Sequence, residues 1–322
     1  IVIPSLIEYS NINFSVTSIG ISAFADCYTL ISVTIPTSVV SIGDMAFQKS
    51  LALTTVNIPS SVVSIGTSAF AQCHALTSID IPSTVTSLGR STFAYCVKLT
   101  SISIPALVTQ ISDGLFSNCK SLTSVTIPPT VTSIGSYAFT NCYELTSIVI
   151  PSSVTTIGKA AFKSCCNLTS VNLPFLLTKL SDEVFSGCSA LTEVLIPASV
   201  ISIGNEAFSF CDKLTKVSIP DSVSSIGNSA FWECVSLTNI TLPSSLTILS
   251  RELFRNCYAL QSVKIPSKVT TIRMGAFVNC KSLASIEISP SVTFIGESAF
   301  DACISLTSVI IPSSVTDRKS VV

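Results

Sequence analysis

Apolar residues return along this chain at a fixed interval of 23 residues. Phenylalanine marks the interval, and a leucine stands six residues after each phenylalanine. Thirteen phenylalanines keep this register: Phe24, Phe47, Phe70, Phe93, Phe116, Phe139, Phe162, Phe185, Phe208, Phe231, Phe254, Phe277 and Phe300. A unit of this length is too short to bury its own apolar face. We therefore expect the units to stack on one another as the coils of a solenoid.

Each unit contains one clear strand signal. Leu30, Val33 and Ile35 show the pattern L-x-x-[VI]-x-[IL], which recurs in the later units. Its alternation at period two predicts a strand with one buried face. A proline such as Pro36 follows the strand, and because proline has no N–H to donate, we expect pairing between coils to stop there.

The rest of the unit predicts two turns. A second short apolar pair, such as Val154 and Ile157, predicts a brief extended segment, after which a glycine with positive φ turns the chain. The glycines at this position are Gly43, Gly66, Gly89, Gly135, Gly158, Gly204, Gly227 and Gly296. Ala138, Phe139 and Cys142 then fall on one side of a helical turn. The expected class is thus α/β and strand-dominated, with one short helical turn per coil.

One period from end to end predicts a single elongated array, which we place at residues 24–316. Residues 1–23 are assigned to an irregular N-terminal coil, because Phe24 comes about nine residues later than the period requires. An insertion or an atypical terminal coil would explain the delay. A slower interval of 69 residues is also present, and indicates that three units were duplicated together. It places Ser in the glycine position at Ser112, Ser181 and Ser250, and a bulkier residue before Phe at Leu115, Val184 and Leu253.

The last six residues, 317–322, leave the pattern and read DRKSVV. A common sequencing adapter, GATCGGAAGAGCGTCGTG, encodes these residues in this frame. We interpret them as a non-native tail produced by adapter read-through and exclude them from the fold. The chain begins at Ile1 without a targeting signal, so we take it to be a fragment.

Composition excludes several classes of partner. Charged residues make up 11% of the chain and the formal net charge is −1, so the electrostatic attraction expected of a nucleic-acid binder is missing. Hydrophobic residues reach 48%, but Ser, Thr or Pro interrupts every apolar run. We expect neither nucleic-acid binding nor membrane insertion of this segment.

The candidate chemical groups indicate packing rather than catalysis. Twelve of the thirteen cysteines occupy one position of the unit, and Ser50 fills the same position in another. Stacked cysteines point the same way and would bridge only with distortion, so we interpret them as small buried side chains. Cys166 stands outside this column and is the thiol we expect to react. His74 is the only histidine, and no phosphate-binding loop is present, so we predict no enzyme, no cofactor and no metal.

The whole unit can be written A-F-x-x-C-x-x-L-T-S-[VI]-x-I-P-S-S-V-T-S-I-G. It is carried, for example, by Ala299-Phe300, Cys303, Leu306-Thr307-Ser308-Val309 and Ile311-Pro312. In this motif the chain resembles the leucine-rich repeat of the BspA-like, or Treponema pallidum-type, surface proteins, over roughly residues 16–316. The resemblance implies a curved right-handed leucine-rich-repeat solenoid with a parallel sheet on its inner face. It also implies adhesion or protein binding at an extracellular or cell-surface location, and it supplies no catalytic motif.

The residues that the repeat leaves free are the candidate binding surface. They flank the buried Val or Ile of each strand; the early coils carry mostly Ser and Thr there, and the later coils vary. The candidates are Val149, Asn172, Glu193, Leu195, Lys216, Asn239, Thr241, Lys264 and Glu287. Our first hypothesis is a non-enzymatic recognition or adhesion module that binds protein or glycan through the inner sheet face. One alternative is a structural repeat spacer of a cell-surface protein. Another is an ice-binding lattice of Thr and Ser, which the expected curvature and the mixed later coils disfavour.

Overall fold

The computed structural model describes residues 1–318, so Lys319 to Val322 of the interpreted tail lie outside the described residues. The chain divides into two compact units, Ile1–Val154 and Thr155–Val322. Each unit is a strand-dominated, parallel-sheet solenoid with two strand positions in each regular coil. We call them the first and the second ladder, and describe each unit by itself.

The first ladder contains the strand that precedes the proline. In the first unit its strands are Ser32–Thr34, Thr55–Asn57, Ser101–Ser103, Ser124–Thr126 and Ser147–Ile148. In the second unit they are Ser170–Val171, Glu193–Leu195, Lys216–Ser218, Asn239–Ile240, Ser262–Lys264 and Ser285–Glu287. Paired residues are 23 positions apart, as Val33 and Val56 show. The proline column lies just beyond these strands, which confirms its predicted place.

The second ladder is built from two-residue strands that precede the glycine position. In the first unit they are Ser18–Ile19, Ser41–Ile42, Ser64–Ile65, Ser87–Leu88, Gln110–Ile111 and Ser133–Ile134. In the second unit they are Thr156–Ile157, Lys179–Leu180, Ser202–Ile203, Ser225–Ile226, Ile248–Leu249, Thr271–Ile272, Phe294–Ile295 and Asp317–Arg318. Pairing is again parallel and in register, as between Ile42 and Ile65. Asp317 and Arg318, the first two residues of the interpreted tail, continue this ladder by pairing with Phe294 and Ile295.

The core of each unit is a column of stacked side chains. Phe47 and Phe70 in the first unit stack with ring centroids 5.2 Å apart, and Phe208 and Phe231 in the second unit at 5.5 Å. All four rings are fully buried. Each of these rings stacks on its equivalent in the adjacent coil, so neighbouring coils complete its burial, as the period predicts.

The predicted helical turn is wrong: the described residues contain no helix. Around Phe47, Met45 and Lys49 both have left-handed backbone conformations, with φ of 55° and 58°. The N–H of Gln48 bonds to Met45 of its own coil at 3.0 Å, whereas the N–H of Phe47 bonds to Ala69 of the next coil at 2.7 Å. Alternate amides thus serve the neighbouring coil, which a helix would not permit, because a helix directs its amides along its own axis. Each left-handed residue costs about 1 kcal/mol or more, which these bonds between coils offset.

The predicted role of the repeated glycines is also wrong. Gly89 and Gly227 do not have positive φ, and the described glycines that do, Gly114, Gly187 and Gly275, occupy other positions. At Gly89 an added Cβ would lie 2.3 Å from the backbone nitrogen of Thr67 in the preceding coil. Glycine is therefore required by the close approach of two coils rather than by its backbone angles.

The serines of the 69-residue interval replace a backbone donor. The amide of Gly89 donates to the carbonyl oxygen of Ile65 at 2.8 Å. One coil later, the hydroxyl of Ser112 donates to the equivalent oxygen of Leu88 at 2.6 Å. The hydroxyl of Ser181 makes the same bond to Ile157 at 2.6 Å. At the same position of a later coil, the amide of Arg273 donates to the carbonyl oxygen of Leu249 at 2.9 Å. The carbonyl column is therefore satisfied either by a backbone amide or by a serine hydroxyl.

The first 19 residues form a coil that carries an insertion. Val2 pairs with Thr34 of the first ladder, and Ser18–Ile19 begins the second ladder. Between them lies an antiparallel hairpin of the strands Leu6–Tyr9 and Ile12–Ser15. Removing the nine residues Leu6–Phe14 from the sequence joins Ser5 to Ser15 and leaves P-S-S-V-T-S-I-G, the repeat motif itself. The nine-residue delay before Phe24 is therefore a hairpin set into an otherwise regular coil.

Candidate binding surface

The exposed face of the first ladder follows from the alternation of its strands. In Glu193–Leu195 the central Val194 is buried, and Glu193 and Leu195 on either side are exposed. The same pattern holds in Lys216–Ser218 and Ser262–Lys264. Successive strand residues point to opposite faces, so each three-residue strand offers two exposed positions. We call the one before the buried residue leading and the one after it trailing.

In the first unit this face is made of short side chains. Ser32 and Thr34 occupy its leading and trailing positions in one coil, and Ser101 and Ser103 in another. Val149 is the candidate that belongs to this unit, and it is 81% exposed. It follows Ile148 of the last first-ladder strand of the unit.

The other eight candidates belong to the second unit, and all are exposed. Their leading positions are Glu193, Lys216 and Asn239, and their trailing positions are Asn172, Leu195, Thr241, Lys264 and Glu287. The strand register makes Glu193 the direct neighbour of Lys216. It makes Lys264 the direct neighbour of Glu287. The varied residues therefore form two pairs of opposite charge on adjacent strands.

These four charged side chains are exposed and make no direct ion pair with one another. Adjacent strands lie about 4.8 Å apart, close enough for opposite charges to attract. The ion pairs within 4.0 Å in the described part of the chain lie elsewhere, for example between Lys159 and Glu183 at 2.9 Å. A ligand could therefore contact Lys216 or Lys264 without first breaking a direct ion pair.

Three of the candidates line one groove of about 590 Å³ in the second unit. Thr241, Lys264 and Glu287 share it with Asp221 and Ser244. Leu242, Ile265 and Pro266, all buried, also line it. The groove therefore offers an apolar floor with one cation, two carboxylates and several hydroxyl groups along its rim.

Asp221 is fixed in this groove by the next coil. Its Oδ1 accepts hydrogen bonds from the backbone N–H of Ser244 at 2.9 Å and from the Ser244 hydroxyl at 3.1 Å. Both bonds are accepted by the same carboxylate oxygen. A fixed carboxylate is a better recognition group than a mobile one, because less side-chain entropy is lost on binding.

The sequence interpretation missed Asp221 because it considered only positions within the strand. Asp221 directly follows a proline, in a column where most repeats carry Ser or Ala. Phe175 occupies the same column and is 64% exposed. Leu195, one coil further on, is 72% exposed. Departures from Ser after the proline were the signal that could have identified both Asp221 and Phe175.

Many other hydroxyl groups bond to the backbone of a neighbouring coil, on the exposed surface as well as in half-buried positions. The Thr54 hydroxyl donates to the carbonyl oxygen of Ile31 at 3.1 Å, and Thr123 donates to Thr100 at 3.0 Å. A second column repeats the pattern, as Ser61 donates to Val39 at 2.6 Å. Much of the Ser and Thr content therefore bonds carbonyl groups of the preceding coil.

The cysteine column, by contrast, belongs to the core. The thiol of Cys73 donates to the carbonyl oxygen of Phe47 at 3.3 Å. Burial raises the pKa of Cys73 and of Cys119 to about 12, so the nucleophilic thiolate is suppressed at neutral pH. Cys166 is only half-buried, and burial raises its pKa as well. Its expected reactivity stays a prediction.

Neither a metal centre nor a membrane helix is defined by residues 1–318. No group of three or more His, Cys, Asp or Glu side chains in that range is arranged to hold a metal ion. Over the same residues, no helix has the length and apolar character needed to cross a bilayer.

Comparison with known proteins agrees with this geometry. The model of the BspA type leucine rich repeat region matches residues 5–123, 87–215 and 201–321. The matched residues cover nearly the whole chain, so the chain belongs to this family of leucine-rich-repeat proteins. The matched family is a repeat family and indicates no catalytic activity. A search of curated proteins found no match.

Solved structures show the same fold. A leucine rich cell surface protein from Faecalibacterium prausnitzii A2-165 is 36% identical, with a TM-score of 0.68 over 95% of this chain and 86% of that one. A leucine-rich repeat protein from Bacteroides ovatus is 28% identical, with a TM-score of 0.60 over 95% and 85%. The pneumococcal vaccine antigen PcpA is 19% identical, with a TM-score of 0.53 over 92% and 83%, and is similar in fold alone.

Proposed function

We propose that this chain is a non-enzymatic recognition module of a cell-surface protein, which binds a protein ligand through the first-ladder face of its second unit. The groove that holds Thr241, Lys264 and Glu287 carries this proposal. In the curved right-handed solenoid that the family resemblance implies, this face would be the inner one. The surface location is proposed because the similar protein from Faecalibacterium prausnitzii is described as a cell surface protein.

A protein ligand is favoured over a glycan by the chemistry of the face. The face carries charges of both signs at Glu193 and Lys216, and Leu195 on the same strand as Glu193 is an exposed apolar side chain. Phe175, in the column after the proline, is exposed as well. Protein surfaces supply the complementary mixture of apolar core and charged rim. A face built only of Ser, Thr and Asn, as in most of the first unit, would not favour a protein ligand over a glycan.

The structural spacer is the competing function. Its support is the large share of Ser and Thr hydroxyl groups that bond to neighbouring coils and thus hold the array together. A spacer would tolerate charge reversal on its sheet face, whereas a binding surface would not.

The two functions are separated by a binding assay with matched charge reversals. Three full-length proteins would be compared: the wild type and the single variants Lys264→Glu and Lys268→Glu. Each would be applied to an array of extracellular proteins and to a glycan array. Lys268 is the control, because it is exposed and only four residues away, but does not line the groove. We expect at least one protein on the array to bind both the wild type and Lys268→Glu. The same protein should bind Lys264→Glu at least about tenfold more weakly.

Three outcomes would contradict the proposal. Binding that Lys264→Glu leaves unchanged would exclude this groove. Binding confined to glycans would exclude the protein ligand. The absence of any binding by the wild type would favour the spacer.

A further inference from the structure

The inserted hairpin of residues 6–15 has one apolar face. Cross-strand register places Ile7 opposite Phe14 and Tyr9 opposite Ile12. Because side chains alternate along a strand, these four residues share one face of the hairpin. Glu8 and Asn13, which also pair, lie on the other face with Leu6 and Ser15.

This apolar face is uncovered. Ile7, Tyr9, Ile12 and Phe14 are 54%, 74%, 58% and 52% exposed. Ile7 and Tyr9 therefore contribute little to the core that the adjacent coil builds around Ile3 and Ile19. The insertion interrupts a complete repeat motif and adds nothing visible to the solenoid interior.

The hairpin gains little stability from its own two strands. Ser10 and Asn11 both have positive φ, at 52° and 60°, which is the geometry of the two-residue turn that favours tight hairpins. A two-stranded hairpin is nevertheless only marginally stable in water unless its apolar face packs against something. An exposed apolar patch on an ordered element of this kind marks an interaction site.

We propose that the hairpin is a homodimerisation element, in which the Ile7, Tyr9, Ile12 and Phe14 face packs against the same face of a second copy of the chain. The face carries no charge, since Glu8 lies on the opposite side, so two copies can meet without burying an unpaired ion. Such a contact uses the same patch on both subunits, as a two-fold dimer requires.

The available area suits a weak dimer. The four exposed fractions amount to roughly 500 Å² per copy, since a large side chain presents about 150–250 Å² in full. Complete burial of this area on two copies would remove at most about 1,000 Å² from solvent, which is the lower limit of specific interfaces. Association should therefore be reversible and dependent on protein concentration.

The repeat motif provides a clean test. Deletion of residues 6–14 restores an uninterrupted coil, so it should remove the hairpin without disturbing the solenoid. The double variant Ile7→Ser/Phe14→Ser removes the apolar face, whereas Leu6→Ser removes an equally exposed apolar residue from the opposite face and serves as the matched control. Sedimentation velocity would be measured for all four full-chain proteins from roughly 1 to 200 μM.

We expect dimer formation by the wild type and Leu6→Ser. The deletion and the double variant should associate at least about tenfold more weakly, with unchanged circular dichroism. A wild type that stays monomeric throughout would overturn the proposal, as would a double variant that dimerises normally. Binding of a monomeric wild type to phosphatidylcholine vesicles would assign the face to lipid and overturn it equally.

Discussion

The thiol of Cys96 donates a hydrogen bond to the backbone carbonyl oxygen of Phe70 in the preceding coil, at 3.2 Å. The bond recurs along the column in both units, for example from Cys234 to Phe208 at 3.1 Å. Ser50, which fills the cysteine position in one coil, donates to Phe24 at 3.0 Å. The position thus requires a small side chain that also donates a hydrogen bond.

Substitution of Cys96 tests this requirement. Cys96→Ala removes the donor and leaves a small cavity, so we expect a loss of about 1–2 kcal/mol in the free energy of unfolding. Cys96→Ser keeps the donor in the arrangement that Ser50 already shows, and should lose less than about 1 kcal/mol. Urea unfolding under reducing conditions measures both variants. An alanine variant as stable as the serine variant would show that the bond contributes nothing.

Buried thiols should make the fold sensitive to alkali. Burial raises the pKa of Cys73 and Cys119 to about 12, while an unfolded cysteine titrates near 8.5. Above about pH 8.5 the unfolded chain releases protons that the folded chain retains, so the contribution of these thiols to stability is full below that pH and is lost as pH rises towards 12. Each thiol should contribute a slope of about 1.4 kcal/mol per pH unit within the window.

Urea unfolding at pH 8, 9 and 10 would measure this slope. The matched variant Cys73→Ser/Cys119→Ser keeps two small donors but cannot ionise, so its stability should fall less steeply than that of the wild type. Tyrosine and lysine titrations are common to both proteins and cancel in the comparison. Parallel profiles for the two proteins would contradict the prediction.

Two glycines in equivalent positions should respond differently to alanine. At Gly89 a Cβ would lie 2.3 Å from the nitrogen of Thr67 and 2.4 Å from the carbonyl carbon of Gly66. Both are backbone atoms and cannot rotate away, so we expect Gly89→Ala to lower the free energy of unfolding by about 1–3 kcal/mol or more. At Gly20 no heavy atom lies within 4 Å of the added Cβ, so Gly20→Ala should change it by less than about 0.5 kcal/mol.

Thermal and urea unfolding would compare the two alanine variants. Equal losses would contradict the role of the contact between coils, because only Gly89 has backbone atoms within 4 Å of the added Cβ. A neutral Gly89→Ala would show that the coils can separate at little cost.

The repeat period was sufficient to predict stacking and the strand, because both depend on local alternation and on apolar side chains that a single unit cannot bury. The turn around Phe47 was mispredicted for a physical reason. Ala and Cys at helical spacing favour a helix locally, but the amide of Phe47 gains a bond to Ala69 only when a second coil lies beside it. No pattern of residues within one repeat indicates that hydrogen bond between coils.

The candidate surface was also predictable only in part from the sequence. Alternation alone indicated that Lys264 and Glu287 point outwards, and the structure exposes both. Alternation did not indicate that Asp221, which follows the proline after its strand, lies in the same groove. That requires the path of the chain after the proline, which depends on how the coils meet.

The sequence by itself determined the coil length, the buried columns and the side chains left exposed, since these follow from periodicity and from the need to bury apolar surface. Only the tertiary structure decided why glycine is needed at Gly89, why left-handed residues flank Phe47, and that residues 6–15 form a hairpin with an open apolar face. The first two features depend on contacts between atoms 20 or more residues apart in the sequence. The third depends on the absence of a neighbour against the hairpin face. A pattern of residue types specifies neither the contacts nor the absence.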